Sequence, residues 1–243
     1  MGITFSCSLD DGNPSDMRAA DLLKKYALNA TFFIPINNRE GRKVLAQSDI
    51  RELSHEFEIG SHTYDHCFLK DLSMKDAKFQ VLEGKKKLED ILGKAVFGFC
   101  YPGGKYRREH TELVKEAQFH YARTTTKLCF ETGDDPFEMR TTFQFYAHDR
   151  NVYLRNFIKA GHWGSRYKGL HLALKHDNWI DRLYALFDHT AEYGKVCHLW
   201  GHTKDIDELK AWDEFDQFLS HVSSVVAAPD RLTNEQLAAR AFS

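Results

Sequence analysis

The sequence predicts an α/β fold built on parallel strands. Short β-rich runs alternate with helical patterns along the whole chain, the order that joins parallel strands through crossover helices. The chain has 243 residues, 42% of them hydrophobic, enough for one α/β barrel or two small domains. Four of the β-rich runs end in residues with chemical potential, and in a parallel barrel the C-terminal strand ends share one face.

The first strand is read at residues 3–9. Asn13-Pro14-Ser15-Asp16 then starts a helix with Met17, Ala20, Leu23 and Ala27 on one face. A second strand at 30–36 leads into a polar loop, 37–41, expected to border a site. A short helix at 48–55 precedes a third strand around 57–59. Ser73 and Asp76 form a capping-box pattern for a helix that runs to Leu92 and stops at Gly93. A strand at 96–101, a helix at 110–118 burying Leu113, Val114 and Ala117, and strands at 119–126 and 139–145 follow. Residues 146–178 are rich in His, aromatics and Gly, with a helix near 151–160. They read equally as a segment covering the site or as a packed surface excursion. Residues 178–192 form an amphipathic helix with Trp179, Leu183, Leu186 and Phe187 inward, and 195–200 a seventh strand. Leu209, Trp212, Phe215, Leu219 and Val222 recur at helical spacing across 207–226 and read as core. Thr233-Asn234-Glu235-Gln236 caps a last helix. With no repeat, linker or low-complexity stretch, one domain over 1–243 is expected.

Composition narrows the function classes. With a net charge of −2, nothing suggests nucleic-acid binding or a polybasic membrane patch. The run Lys85-Lys86-Lys87 reads as a solvated helix face. No apolar run reaches the roughly 18 residues a membrane span needs. No leader is visible ahead of the first strand, and the five Cys read as buried thiols. The expectation is a cytoplasmic protein.

The strand ends carry the chemistry. Asp10-Asp11-Gly12 closes the first strand; neighbouring strand residues point to opposite sides, so the two carboxylates need not share a task, although Asp-Gly is also a common turn. His62 and His66 follow the third strand four residues apart. If that turn is helical, both rings reach one metal ion, but in a chain with 13 His such a pair also arises by chance. Tyr101-Pro102-Gly103-Gly104 reads either as a tight turn or as one whose backbone N–H groups face a cleft. Trp200-Gly201-His202 ends the seventh strand.

Taken together and in this order, Ser8-Leu9-Asp10-Asp11, His62-Thr63-Tyr64-Asp65-His66, Cys100-Tyr101-Pro102-Gly103-Gly104 and Trp200-Gly201-His202 resemble the motifs of the polysaccharide deacetylase family, the NodB-homology or carbohydrate esterase family 4 domain. Asn29-Ala30-Thr31-Phe32-Phe33-Ile34-Pro35 adds to the likeness, which spans roughly residues 3–205. The resemblance implies an incomplete, distorted (β/α)7–8 barrel. It implies removal of N-acetyl groups from an amino sugar by a divalent metal, Zn2+ or another such as Co2+, Mn2+ or Ni2+, held by Asp11, His62 and His66. Asp10 is then the general base, His202 the general acid, the turn from Tyr101 to Gly104 the oxyanion wall, and Trp200 the lining of the acyl pocket. Two positions depart from the family pattern. Cys100 stands where the family has an Arg that orients the base, with Arg123 and Arg140 as possible substitutes. No fourth motif is recognisable, leaving Asp149, Asp205 and Asp207 as candidate partners of the acid. Family members that trim cell walls are usually exported; an intracellular enzyme points instead to a nucleotide-linked or lipid-linked sugar or an oligosaccharide. The alternatives are a deformylase or cyclic-amide hydrolase of the same fold, and a carbohydrate- or metal-binding protein with weakened catalysis.

Overall fold

The computed structural model describes residues 2–243; Met1, on which the leaderless start rests, lies outside the described residues. In chain order the elements are β1 (Thr4–Asp10), α1 (Asp16–Lys25), β2 (Thr31–Ile34), α2 (Gln47–Leu53), β3 (Glu58–Ser61), α3 (Met74–Leu92), β4 (Gly98–Cys100), α4 (Arg108–Glu116), β5 (Tyr121–Arg123), β6 (Phe143–Gln144), α5 (Arg150–Ala160), α6 (Trp163–Lys175), α7 (Trp179–Glu192), β7 (Val196–Gly201), α8 (Thr203–Leu209), α9 (Trp212–Val225), β8 (Arg231–Leu232) and α10 (Asn234–Phe242). Seven parallel strands form a curled, open barrel in the order β5-β4-β3-β2-β1-β7-β6. The edge of β1 is shared: β2 pairs with its upper half, and β8 with Phe5 and Ser6 below.

The barrel does not close between β5 and β6. An irregular segment fills that seam, joined to β5 by the Arg123–Met139 bridge and by Met139 N–H to Ala122 O. The strand expected at 139–145 therefore shrinks to two residues, because beyond the Met139 bridge Arg140 and Thr141 bond to the loop around Thr126–Thr132 rather than to a strand.

Buried strands run nearly apolar, as a sheet covered on both faces requires. Every residue of β2 is buried, and β1 is buried from Phe5 onward. Phe218 of α9 meets Phe143, Phe145, Tyr184 and Phe187 edge-on, which fastens α7 and α9 to the β6–β7 side.

Two helical expectations change. The stripe at 207–226 is two helices, broken where Lys210 takes a left-handed φ of 55°. The break lets Trp212 Nε1 donate to Asp207 Oδ1 at 2.8 Å, and it leaves Leu209 exposed instead of in the core. Helix α6 was not foreseen. Its buried face is Arg166, Gly169 and Ala173, while Trp163 and Tyr167 point outward, so no apolar period marks it. A Cβ at Gly169 would meet Leu128 Cβ at 2.9 Å, so the helix lies as close to the seam loop as a glycine allows.

Candidate active site and metal centre

Six strands deliver side chains to one end of the barrel. Asp10 is the last residue of β1, Arg123 of β5, Gln144 of β6; His62 follows β3, Gly103 follows β4, and Trp200 and His202 lie at the end of β7. All of these but Arg123 line an open cavity of about 450 Å3.

The two carboxylates diverge because Asp11 leaves the strand with a φ of 77°, a left-handed conformation that Asp tolerates better than most residues. Asp11 turns to the histidines. These are not on a helix, contrary to the simplest reading of their spacing. They lie in a loop in which Thr63 (φ 69°) and His66 (φ 55°) are both left-handed. Thr63 Oγ1 accepts from Cys67 N–H, Gln80 Oε1 accepts from Asp65 N–H, and α3 packs so tightly that a Cβ at Gly84 would stand 2.9 Å from the Thr63 backbone. Helix α3 thus moulds the loop that a helical turn would otherwise have supplied.

His62 Nδ1 lies 2.8 Å from Cys100 O, a contact that only an N–H can satisfy, so Nε2 presents a lone pair. That Nε2 is 3.5 Å from Asp11 Oδ1, and His66 Nε2 is 3.0 Å from the same oxygen. Yet Asp11 Oδ1 is buried with no hydrogen-bond partner. Lone pairs converging on one point repel unless a cation lies among them, and a bound imidazole whose far N–H is fixed by a carbonyl is the usual ligand arrangement. The donor set of one oxygen and two nitrogens fits a divalent ion. Burial alone would raise the Asp11 carboxyl, but His62, His66 and His202 facing it hold it well below the ordinary carboxylate range. Burial lowers His62, keeping it neutral. Asp10, His62 and Cys100 also approach one another. Burial pushes the Cys100 thiol far up, however, and its Sγ points at Asp10 Oδ2 as a protonated donor, which makes that trio a poor ligand set.

Asp10 is gripped by Arg123. Arg123 Nη2 donates to Asp10 Oδ1, and both side chains are almost fully buried. The cation that Cys100 lacks therefore arrives from the neighbouring strand: Cys100 pairs with Arg123 in the β4–β5 register. Arg140, the other sequence candidate, faces away and pairs with the exposed Asp134.

At the end of β7, His202 Nδ1 lies 2.7 Å from Asp205 Oδ2. Burial would lower this imidazole, but Asp205, Asp11 and Asp10 raise it above its usual value. Of the other two candidate partners, Asp149 caps α5 and Asp207 binds Trp212 and Ser15. Trp200 lines the cavity with its Nε1 buried and unpartnered, and the Arg123 guanidinium carbon and Lys127 Nζ lie 5.0 and 5.1 Å from its ring centroid. In the Pro-Gly-Gly turn only Gly103 lines the cavity. Tyr101 points backward, donating to Phe137 O and stacking on Tyr106, and Pro102 is buried outside the cavity wall. Gly104 spends its N–H on Tyr101 O, and its φ of 62° and the nearness of Thr125 admit no side chain.

Several residues in or beside the cavity had no signal in the sequence. Arg42 Nη1 stands 3.6 Å from Asp11 Oδ2, one residue beyond the polar loop expected to border the site. Lys127 Nζ sits 2.7 Å from both Gln144 Oε1 and His148 Nε2. Burial brings Lys127 down to about 7, and burial, Lys127, Arg182 and His202 bring His148 down to about 3, so His148 accepts from the ammonium. His148 is one of four histidines in 146–178, and no spacing in the sequence sets it apart.

Comparison with known proteins agrees with this geometry. The family model of polysaccharide deacetylases matches residues 2–122. A peptidoglycan-N-acetylglucosamine deacetylase of Bacillus cereus is 31% identical over 121 residues, covering 49% of this chain and 53% of that protein. The peptidoglycan-N-acetylmuramic acid deacetylase PdaC of Bacillus subtilis is 34% identical over 91 residues, 37% of this chain and 19% of that one. The chain thus spans about half the length, or less, of the curated relatives it matches. Among solved structures, one from Mycobacterium smegmatis described as a polysaccharide deacetylase superposes over 99% of this chain and 91% of its own with a TM-score of 0.65 at 16% identity, which shows a shared fold. With the matched segment carrying every motif except the last, the chain belongs to the polysaccharide deacetylase family.

Proposed function

We propose that this chain is a metal-dependent hydrolase that removes the N-acetyl group from an acetylated amino sugar. The observation that carries the reading is the buried, unpartnered Asp11 Oδ1 facing two imidazole nitrogens, beside a second carboxylate, Asp10, that is held by an arginine. Asp11, His62 and His66 would hold the ion. When bound, a divalent metal there lowers the pKa of a water and polarises the amide carbonyl. Asp10, fixed by Arg123, takes a proton from the attacking water. His202, raised by Asp205, arrives protonated and gives its proton to the leaving nitrogen, which departs poorly as an amide anion. Gly103, with no side chain in the way, exposes backbone toward the developing oxyanion, and the Trp200 indole walls the acyl group. Bound Arg123 answers the departure at Cys100, so the reading of a binding protein with weakened catalysis loses its main support.

The Bacillus relatives are named for N-acetylglucosamine and N-acetylmuramic acid, so an N-acetylhexosamine is the proposed substrate. Five free, buried cysteines among the described residues suit a reducing compartment and so a sugar conjugate or oligosaccharide met inside the cell. A formamide substrate is a second reading, favoured by the bulk of Trp200 against the acyl position.

The test is metal-reconstituted protein on a panel of N-acetyl and N-formyl amino sugars, with Asp10→Asn alongside. The variant is expected to bind metal as the wild type does and to lose about 10²–10⁴-fold in kcat. Equal behaviour of the two proteins on every substrate would defeat the hydrolase reading.

A further inference from the structure

The α5–α6 hairpin carries an unusual surface. Residues 150–176 hold six Lys and Arg and no Asp or Glu, a local +6 that leaves −8 on the rest of a chain whose net charge is −2. The whole-chain balance hides this segregation. The same 27 residues expose Leu154, Ile158, Trp163, Tyr167 and Leu174, with Ile158, Trp163 and Tyr167 about 60% accessible at and beside the hairpin tip. Four-residue spacings place Leu154 with Ile158 and Trp163 with Tyr167 on one stripe each, flanked by Arg155, Lys159 and Lys168.

The hairpin is built rigidly beneath that surface. Arg166 is fully buried and donates to Gly161 O, Phe157 O, Asn156 Oδ1 and Lys127 O, tying α6 to the end of α5 and to the seam loop. Arg182, also buried, ties the base of the hairpin through His148 O and His176 O. Arg150 is paired with Asp177, while Arg155, Lys159, Lys168 and Lys175 have no ion pair among the described residues. The exposed stripes are thus a fixed, monopolar, amphipathic face rather than a loose loop.

We propose that this face docks on an anionic lipid bilayer. Basic residues with exposed Trp, Tyr and aliphatic side chains on helices lying along the surface are the physical recipe for interfacial binding: cations meet the headgroup phosphates and the apolar side chains enter the acyl boundary. A nucleic acid would use the cations but offer nothing to Leu154, Ile158 and Leu174. A second copy docked face to face would oppose two surfaces that each carry the unpaired cations Arg155, Lys159, Lys168 and Lys175. Helix α5 begins two residues after the cavity-lining His148, so the hairpin springs from the rim of the cavity. The inference concerns binding and stands apart from the hydrolase reading.

The experiment is flotation of the full chain with vesicles of phosphatidylcholine, alone or with phosphatidylglycerol added, at low and high salt. Wild type is expected to float with the anionic vesicles only, and less at high salt. Since each cation near an anionic surface strengthens binding about fivefold, the combined Arg155→Glu, Lys159→Glu, Lys168→Glu and Lys175→Glu variant should bind about 100-fold more weakly or worse. Ile158→Ser with Trp163→Ser should weaken binding while leaving the charge intact. These are exposed positions, and unchanged circular dichroism and hydrolysis of a soluble substrate would show the fold kept. Absence of flotation by wild type, or equal flotation by the charge variant, overturns the proposal. Retention of an oligonucleotide but not of vesicles overturns it in favour of nucleic acid, and a dimer that the Ile158→Ser/Trp163→Ser variant dissolves overturns it in favour of self-association.

Discussion

The two halves of the chain build the site in different ways. Up to Cys100, functional atoms come in clusters: Asp10 beside Asp11, and His62 four residues from His66, each pair at or just after the end of one strand. Beyond Cys100 they come singly: Arg123 at the end of β5, Gln144 at the end of β6, His148 before α5, His202 after β7 and Asp205 within α8. The first half holds the groups proposed to contact the ion and the water. The second supplies most of the groups that hold those in place. Ligands of one ion must be neighbours and so leave a local spacing, whereas an orienting charge acts from any strand that the sheet register brings alongside.

Arg123 tests this division with the largest effect. It is proposed to do from β5 what the family's Arg does from the position of Cys100. Arg123→Ala should lower kcat by about 10–100-fold, the range for partners that orient active groups. It should also lower stability by about 3–5 kcal/mol, because Asp10 is left buried without its cation. Arg140→Ala, which removes only an exposed pairing with Asp134, should change kcat less than about twofold. Steady-state kinetics and thermal melts of both decide it: equal effects would mean that β5 does not serve the base.

Much of the fold was readable because buried parallel strands and capped helices obey local rules. Ser73 caps α3 through Asp76 N–H, Gly93 ends it in a left-handed turn, and Thr233 with Gln236 forms a full capping box on α10. The residues of the proposed metal site stood out for the same reason, although the route by which they meet did not: the His pair converges through two left-handed residues against which α3 packs, which no spacing rule anticipates. The illegible parts are those decided by packing between distant segments. Choosing Asp205 over Asp149 and Asp207 needed to know that Asp207 was already engaged by Trp212 and Ser15. Lys127 looks like any surface lysine until the seam loop buries it under Trp200. Helix α6 hid because its buried face is made of Arg, Gly and Ala.

Asp205 sharpens the contrast at an intermediate scale. Its carboxylate, with Asp11 and Asp10, overcomes the lowering effect of burial and raises His202, so the protonated acid persists to higher pH than an ordinary imidazole. Asp205→Asn keeps the shape and removes the charge, so the His202 pKa falls. The acid form is then lost earlier as pH rises: the alkaline limb of kcat/KM moves down, the acidic limb stays, and the rate at neutral pH drops about tenfold. Asp207→Asn should leave the limb where it is. An unmoved alkaline limb in Asp205→Asn would show that His202 is not the acid, or that Asp205 does not act through it.

The smallest effect concerns selectivity rather than rate. Trp200 stands where the resemblance places Leu; its buried indole packs against Arg123 and Lys127, and its Nε1 has no protein partner among the described residues. If this packed ring walls the acyl group as proposed, it does not move aside for a larger one, and the pocket discriminates by size. One methylene in an apolar pocket alters discrimination by about 1–3 kcal/mol, or roughly 10–200-fold in the best case. The wild type should therefore favour formyl or acetyl over propionyl amides of the same sugar. Trp200→Leu should narrow that preference by several-fold by raising propionyl turnover, with little change in metal content. Such a variant also removes the ring that Arg123 and Lys127 flank, so a fall in rate on all three substrates with the preference unchanged would assign Trp200 to holding those cations instead of measuring the acyl group.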